Sequence, residues 1–336
     1  MNNFKKVGLT ALAGSLAAVS AQAAEMTVSG ATVLTYTSEH SSEVTGNPYG
    51  MKTNLGFTAS GDVNGYTVSY MQTSMDKFAG MSSARLSVDM GDMGTIAFDQ
   101  GSGSGLATID DKTPTAAEEI WDGLDGAGSS ATSVGGLVGT AGNTGVFNYV
   151  NTMGGVTFNG AARKGSGSAN SDGASSGAGQ GAWDFALTTD GSALGVDGLA
   201  MGFGYGEAEN GSATNAGGND DNQHATVFAN YTYGPATFGY QISEISANTN
   251  GANHENVDQW GIAFVVNENL SISYGEREVE YDAPSAANVT EDGEGIAIAY
   301  TMGSMKIAGN QNEVANNGGT TGTNDEMTEI ALSFAF

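Results

Sequence analysis

Through residues 328–336, TEIALSFAF, apolar and polar side chains take turns. Ile330, Leu332, Phe334 and Phe336 share one parity, and Glu329, Ala331, Ser333 and Ala335 share the other. A period of two is the spacing of a β-strand with two unlike faces. The alternation recurs along the chain. Leu55, Phe57 and Ala59 oppose Asn54, Thr58 and Ser60; Leu86, Val88 and Met90 oppose Arg85, Ser87 and Asp89. Phe238, Tyr240 and Ile242 oppose Gly239, Gln241 and Ser243, while Met201, Phe203 and Tyr205 oppose a row of glycines. Tight turns of Gly, Asn and Asp lie at 61–65, 91–94, 151–154, 234–236, 267–269 and 303–304, with a looser one at 190–198. Such residues tolerate positive φ or bond their own backbone. Longer loops fall near 38–51, 74–81, 101–143, 164–181, 208–223, 248–256, 282–292 and 313–325, so short and long connections alternate and join about sixteen strands.

Alternation of this kind permits a soluble antiparallel sheet, which buries its apolar face, or a transmembrane barrel, which turns that face to lipid. The runs approach the ~9–11 residues that a tilted strand needs to cross a bilayer. Tyr and Phe gather at run ends, where interfacial belts place aromatics. An even number of strands brings both termini to one rim, so the final strand can pair with the first, MTVSGATVLTY at 26–36. Closure removes the sheet edges that hydrocarbon does not tolerate. The fold class expected is an all-β transmembrane antiparallel barrel.

Composition sharpens this. The 336 residues include 37 acidic and 10 basic side chains, a formal charge of −27, which excludes a nucleic-acid partner. There is no Cys, hence no disulfide framework or thiolate site. Fifty-two Gly and four Pro suit turns and strands. Residues 1–23 carry Lys5 and Lys6, an apolar stretch from Val7 to Val19 and an Ala21-Gln22-Ala23 cleavage signal, which reads as a signal peptide. Residues 24–336 then form a single barrel domain.

Three features resemble the Gram-negative outer-membrane general-diffusion porins, a sixteen-stranded, trimeric family. The terminal Phe336 of IALSFAF resembles the signal that such barrels present to the barrel assembly machinery. MGDMGTIAFDQGSGSG (90–105) resembles the family's turn and fifth strand, except that Asp99-Gln100 stands where the pattern has Gly-Arg. The signal peptide and the strand–turn order fit throughout. The resemblance implies a homotrimer in the bacterial outer membrane, in contact with lipid and lipopolysaccharide. It also implies that the long third loop, 101–143, folds into the lumen as a constriction.

That loop carries helix signals in KTPTAAEEIWDGLDG (112–126): Thr115 and Glu118 have capping-box spacing, and Pro114 suits a helix start. Ile120, Trp121 and Leu124 would form one apolar stripe pinning the loop to the wall. By the resemblance, Asp110, Asp111, Glu118, Glu119 and Asp122 line the constriction. Parity puts Arg85, Arg163 and Arg277 on the lumen side, while Lys52 and Lys77 lie near the outer ends of strands two and three. Lys52, Arg85 and Arg277 are the expected basic partners. Acids in excess select cations by their field.

The three His residues lack ligand spacing for Zn, no G-x-S-x-G elbow is present, and no cofactor is expected. The acidic stretches 217–222 and 290–295, taken as loops, could loosely hold Ca²⁺ with oxygen ligands. The expected function is passive diffusion of ions and small hydrophilic solutes through a water-filled, cation-preferring channel, without enzymatic activity. The competing reading is a structural or adhesive barrel whose lumen is plugged.

Overall fold

The computed structural model describes residues 25–40, 45–74, 81–124, 144–164, 181–209, 221–246, 254–282 and 287–336. The signal-peptide reading, Lys77 and most of the 217–222 stretch lie outside them. Sixteen strands run in chain order: β1 Glu25–Glu39, β2 Tyr49–Val63, β3 Tyr66–Ser74, β4 Met81–Asp89, β5 Thr95–Gln100, β6 Thr144–Met153, β7 Val156–Arg163 and β8 Ala182–Thr189. The second half comprises β9 Leu199–Ala208, β10 Asn222–Tyr233, β11 Ala236–Ser246, β12 His254–Val265, β13 Leu270–Asp282, β14 Val289–Met302, β15 Met305–Ala315 and β16 Asp325–Ala335. Every strand pairs antiparallel with its neighbours, and β1 pairs with β16 to close the barrel.

Each turn follows from its residues. Between β2 and β3, Asn64 and Gly65 both take positive φ (56° and 85°), the pair that a two-residue hairpin of right-handed twist requires. Asp62 accepts the Gly65 N–H at 3.1 Å and braces the turn.

Closure is made by the register Leu34↔Leu332 and Tyr36↔Ile330. Beyond the paired strands, Gly30 N–H donates to the Phe336 carbonyl at 2.8 Å, and Phe336 N–H donates to the Gly30 carbonyl at 2.9 Å. Gly30 matters because the Phe336 ring lies over it: a Cβ there would stand 2.7 Å from Phe336 Cε2 and 2.6 Å from Leu55 Cδ2. Gly30→Leu should therefore expel the ring from the seam, with an overpacking cost of about 1–3 kcal/mol. The check is a lower temperature for loss of the folded band on unheated SDS gels.

The outward parity is apolar all round. Phe203, Phe238, Ile262, Ile272, Ile298 and Ile330 are all exposed, and no soluble monomer leaves so continuous an apolar band in water. Amphipathic rings border it on the long-loop side: Tyr36 against Tyr49, Trp183 against Tyr205 and Trp260 against Tyr274, with centroids 5.6, 5.8 and 5.7 Å apart. Their polar tips reach outward-facing carboxylates. Tyr205 donates to Glu207 at 2.7 Å, Tyr240 to Asp258 at 2.6 Å, and Trp260 Nε1 to Glu276 at 3.2 Å. Rings so placed span a lipid–water boundary.

The structure departs from the sequence reading in two places. Residues 290–295 are not a loop: they lie inside β14, with Glu291 buried on the inner face and Asp292 on the outer. The strand ladder from Tyr281↔Val289 onward extends the hairpin beyond what parity revealed, so the loop cradle considered for Ca²⁺ is absent there. Residues 115–124 do not form the expected helix; they are a chain of turns, with Asp122 N–H donating to the Glu119 carbonyl and Leu124 N–H to the Trp121 carbonyl. The reason lies on the wall behind them.

Candidate functional site

Residues 101–124 form a strap laid along the inner wall from β7 to β16. It begins at Asp99, which is 1 % exposed on the inner face of β5. That carboxylate accepts the Ser102 N–H at 2.9 Å and the hydroxyls of Ser102 and Ser104, folding GSGSG back into the lumen. Arg85 lies 3.7 Å from Asp99 and also donates to the Gly103 carbonyl and to Asn148. Where the family pattern has Gly-Arg, this chain thus uses an acid to tie the root of its strap.

A short 3₁₀ turn, Gly105–Ile109, follows. Gly105 N–H donates to Asn159 and Leu106 N–H to Asp184, both at 2.9 Å. Leu106 and Ile109 are buried against Ala186 and Phe228. Farther on, Gln241 of β11 donates to the carbonyls of Ile109 and Asp110 and accepts the Lys112 N–H. Asn230 donates to the Lys112 carbonyl, and Ser273 accepts the Ala116 N–H. Asn312 of β15 donates to the carbonyls of Glu119 and Asp122, at 3.1 and 2.9 Å. The strap's backbone polar groups are thus satisfied by wall side chains rather than by a helix of its own, which explains the missing helix.

Glycines make the seat. Gly239↔Gly261, Gly261↔Gly275 and Gly275↔Gly295 are cross-strand partners over four adjacent strands. Cβ atoms on Gly261 and Gly295 would stand 2.9 Å from the Pro114 carbonyl oxygen and 2.8 Å from Ile120 Cβ. A trench without side chains lets the strap lie flat.

The expected acidic residues gather on this strap in different settings. Glu118 is exposed, and Glu119 and Asp122 are half-buried. Asp110 accepts the N–H of Asp111, and burial pushes its carboxyl above the usual range. Asp111 is tied down: it accepts from Thr113 N–H and hydroxyl and from Gln259 Nε2 at 2.9 Å. Burial raises its pKa also, against the lowering effect of those Thr113 bonds. Asp122 is pushed up to about 6, first by burial, then by the charges of Glu118, Glu329 and Glu119, with Lys52 pulling the other way.

The basic residues divide. Lys52, on the inward parity of β2, stands close enough to Asp122 to act on its charge. Arg85 serves the strap's root. Arg277 is 3 % exposed, with Trp121 over its guanidinium at 5.0 Å and Glu291 at 3.2 Å; it lies beneath the strap. Glu329 of β16, which accepts from Thr37 at 3.1 Å, joins the carboxylates around Asp122. Its inward parity was visible in TEIALSFAF, but nothing in the sequence placed Asp122 beside it. The wall residues that hold the strap, Asp184, Gln241 and Asn312, carried no sequence signal beyond polar type and inward parity.

Asp122 sets a pH dependence. Its folded pKa lies above the ordinary 3.8, so the folded chain binds more protons than the unfolded one between about 4 and 6. This group's contribution therefore makes the fold less stable as pH rises through that window. Acidification through about pH 6 removes one negative charge from the strap. In bilayer recordings, cation preference should fall over that range, and Asp122→Asn should flatten the change.

No protein-family model matches the chain, and no curated protein sequence matches it. Solved structures do. OmpT, an outer membrane protein of Vibrio cholerae, is similar over 93 % of this chain and 98 % of its own, at 14 % identity and a TM-score of 0.64. The anion-selective porin from Comamonas acidovorans is similar over 94 % and 100 %, at 14 % identity and a TM-score of 0.62. A mutant of the Rh. blastica porin is similar over 93 % and 100 %, at 13 % identity and a TM-score of 0.60. Another OmpT structure from Vibrio cholerae is described as a trimer form. These likenesses establish the fold, the closed sixteen-strand barrel of outer-membrane porins, and the apolar outer band sets it in a bacterial outer membrane.

Proposed function

We propose that this barrel is a porin of the general-diffusion kind: a passive, water-filled channel for ions and small hydrophilic solutes, with a preference for cations. One observation carries the reading. A strap hydrogen-bonded along half of the inner wall bears Glu118, Glu119 and Asp122, with Glu329 beside them and Lys52 opposing them. Wall-mounted charge of one sign favours counter-ions in a narrow, low-dielectric passage. The inner faces of β1–β4 add Ser29, Thr35, Asn54, Thr58, Ser69 and Ser87, hydroxyl and amide groups that solvate a passing solute without holding it.

The reading needs no cofactor and no catalytic group. It includes a homotrimer, by analogy with the trimer form of the Vibrio cholerae barrel, and contact with lipopolysaccharide around the outer aromatic row. Selectivity is argued from this chain's own charges, since the similar Comamonas acidovorans porin is named as anion-selective.

Planar bilayers test it. The purified barrel should give steady conductance steps, and in a KCl gradient a zero-current potential on the cation side. That preference should shrink as salt rises and the screening length falls from about 10 Å at 0.1 M to about 3 Å at 1 M. Electrical silence would favour the plugged, structural barrel instead.

A further inference from the structure

We propose that Arg277 is a positioning residue through which the outer hairpin between β15 and β16 sets the strap, rather than a cation facing the passage. The contacts form an unbroken series. Trp121 of the strap lies over the Arg277 guanidinium, 5.0 Å from ring centroid to Cζ. Arg277 Nη1 donates to Glu291 Oε1 at 3.2 Å. The other Glu291 oxygen accepts the Gly318 N–H at 2.8 Å and the Tyr281 hydroxyl at 3.4 Å. Gly318 sits in the turn Asn317–Gly319 of the outer hairpin, at φ +63°, a left-handed setting that suits glycine and aims its N–H at Glu291. Tyr281 packs beneath Gly319 of the same turn.

The hairpin's own strands grip the same stretch of strap. Asn312 of β15 holds the carbonyls of Glu119 and Asp122, and the Met327 side chain of β16 packs against Gly123. Residues 119–123, which carry two of the strap's acids, are thus held by β15 and β16 directly and by the outer turn through Glu291 and Arg277. A buried guanidinium keeps its charge whether paired or not, so losing its carboxylate leaves an uncompensated charge and drives rearrangement, and close-packed groups shift between discrete arrangements rather than by degrees. A displacement of the outer turn withdraws an N–H from Glu291, reorients the carboxylate that Arg277 needs, and so loosens the platform under Trp121. A large solute or a neighbouring molecule resting on the outer turn would reach the passage by this route.

The test uses the full-length barrel with Trp183→Phe and Trp260→Phe, both on the outer wall, so that Trp121 alone fluoresces. Gly318→Ala, at the outer turn, is the decisive variant, and Glu291→Gln and Arg277→Lys follow inward. The expected result is a red shift of Trp121 emission and stronger acrylamide quenching in all three, with heat-modifiable gel migration retained. In bilayers the same variants should broaden the conductance distribution, and Gly318→Ala should add nothing in a Trp121→Leu background. Parent-like emission, quenching and conductance in folded Gly318→Ala and Glu291→Gln would overturn the proposal. If Gly318→Ala does not fold, Glu291→Gln alone decides. The bilayer arm rests on the porin reading, whereas the fluorescence does not; a silent parent barrel would sink that reading and leave this one to be judged by Trp121.

Discussion

Replacing Glu118, Glu119 and Asp122 by Gln, Gln and Asn should remove most of the cation preference, and adding Glu329→Gln should bring the zero-current potential close to zero. A unit charge about 10 Å from a permeating ion contributes about 1.7 kcal/mol at an effective dielectric near 20, before screening. About 1.4 kcal/mol is a factor of ten in a partition ratio, so three charges lost together dominate any smaller effect. After the triple change, Glu329 still stands beside the site of Asp122, so a residue of preference remains until Glu329 goes. The side chains concerned are exposed or half-buried, while the strap's anchors are backbone groups held by Asn312, Gln241 and Ser273. Neutralisation should therefore alter selectivity while keeping the folded band, and at neutral pH the loss of the strained Asp122 carboxylate should raise the melting temperature rather than lower it. A potential that stays on the cation side after all four changes would place the selective charge elsewhere.

The second large effect concerns the trench. Gly261→Val and Gly295→Val should each lower single-channel conductance. A Cβ at Gly261 would stand 2.9 Å from the Pro114 carbonyl oxygen, and one at Gly295 would stand 2.8 Å from Ile120 Cβ. Those neighbours are the strap's backbone and the first side-chain atom of an anchored residue; at Gly295 the Cβ would also press on the Asn312 amide, 2.5 Å away, which holds the strap's carbonyls. The wall is fixed by ladder bonds to both sides, so the strap yields and moves toward the lumen. Overpacking of this kind costs about 1–3 kcal/mol, which the barrel's ladders can absorb. Gly309→Val is the control. Its glycine lies on the outward parity of β15, where a Cβ meets nothing closer than 3.6 Å, and conductance should stay as in the parent.

The sequence disclosed the barrel wall well. Parity alone assigned the outward faces of Phe57, Leu86, Phe203, Tyr240 and Ile298, because a side-chain period of two leaves no freedom once one face meets lipid. Turn chemistry at Asn64-Gly65 and at Gly303 located the hairpins. The strap's place inside the barrel was implied by the porin resemblance, and its acids were plain in the sequence. Its conformation was not legible. Capping-box spacing at Thr115 and Glu118 measures what an isolated segment prefers, whereas here Ser273 and Asn312, more than 150 residues away, take the backbone groups that a helix would have used. Arg277 was read onto the correct face, yet parity says only which way a side chain points. What covers it, Trp121, is a contact between distant segments, as is the pairing of Asp184 with Leu106. The extension of β14 to Val289 was missed because Thr290–Gly295 is rich in acids and glycine, and that composition reads as loop until the ladder with β13 is seen.

The strap has a mechanical consequence. From β7 to β16 the barrel carries one length of chain along its inner wall, tied to the strands by side-chain hydrogen bonds; from β1 to β3, among the described residues, the wall is a bare single sheet. Bending stiffness grows steeply with thickness, so lateral stress from the surrounding bilayer should deform the thin side first. Any ovalisation would then widen or flatten the gap in front of Lys52 while the acidic bank keeps its shape, giving the passage one rigid lip and one compliant lip.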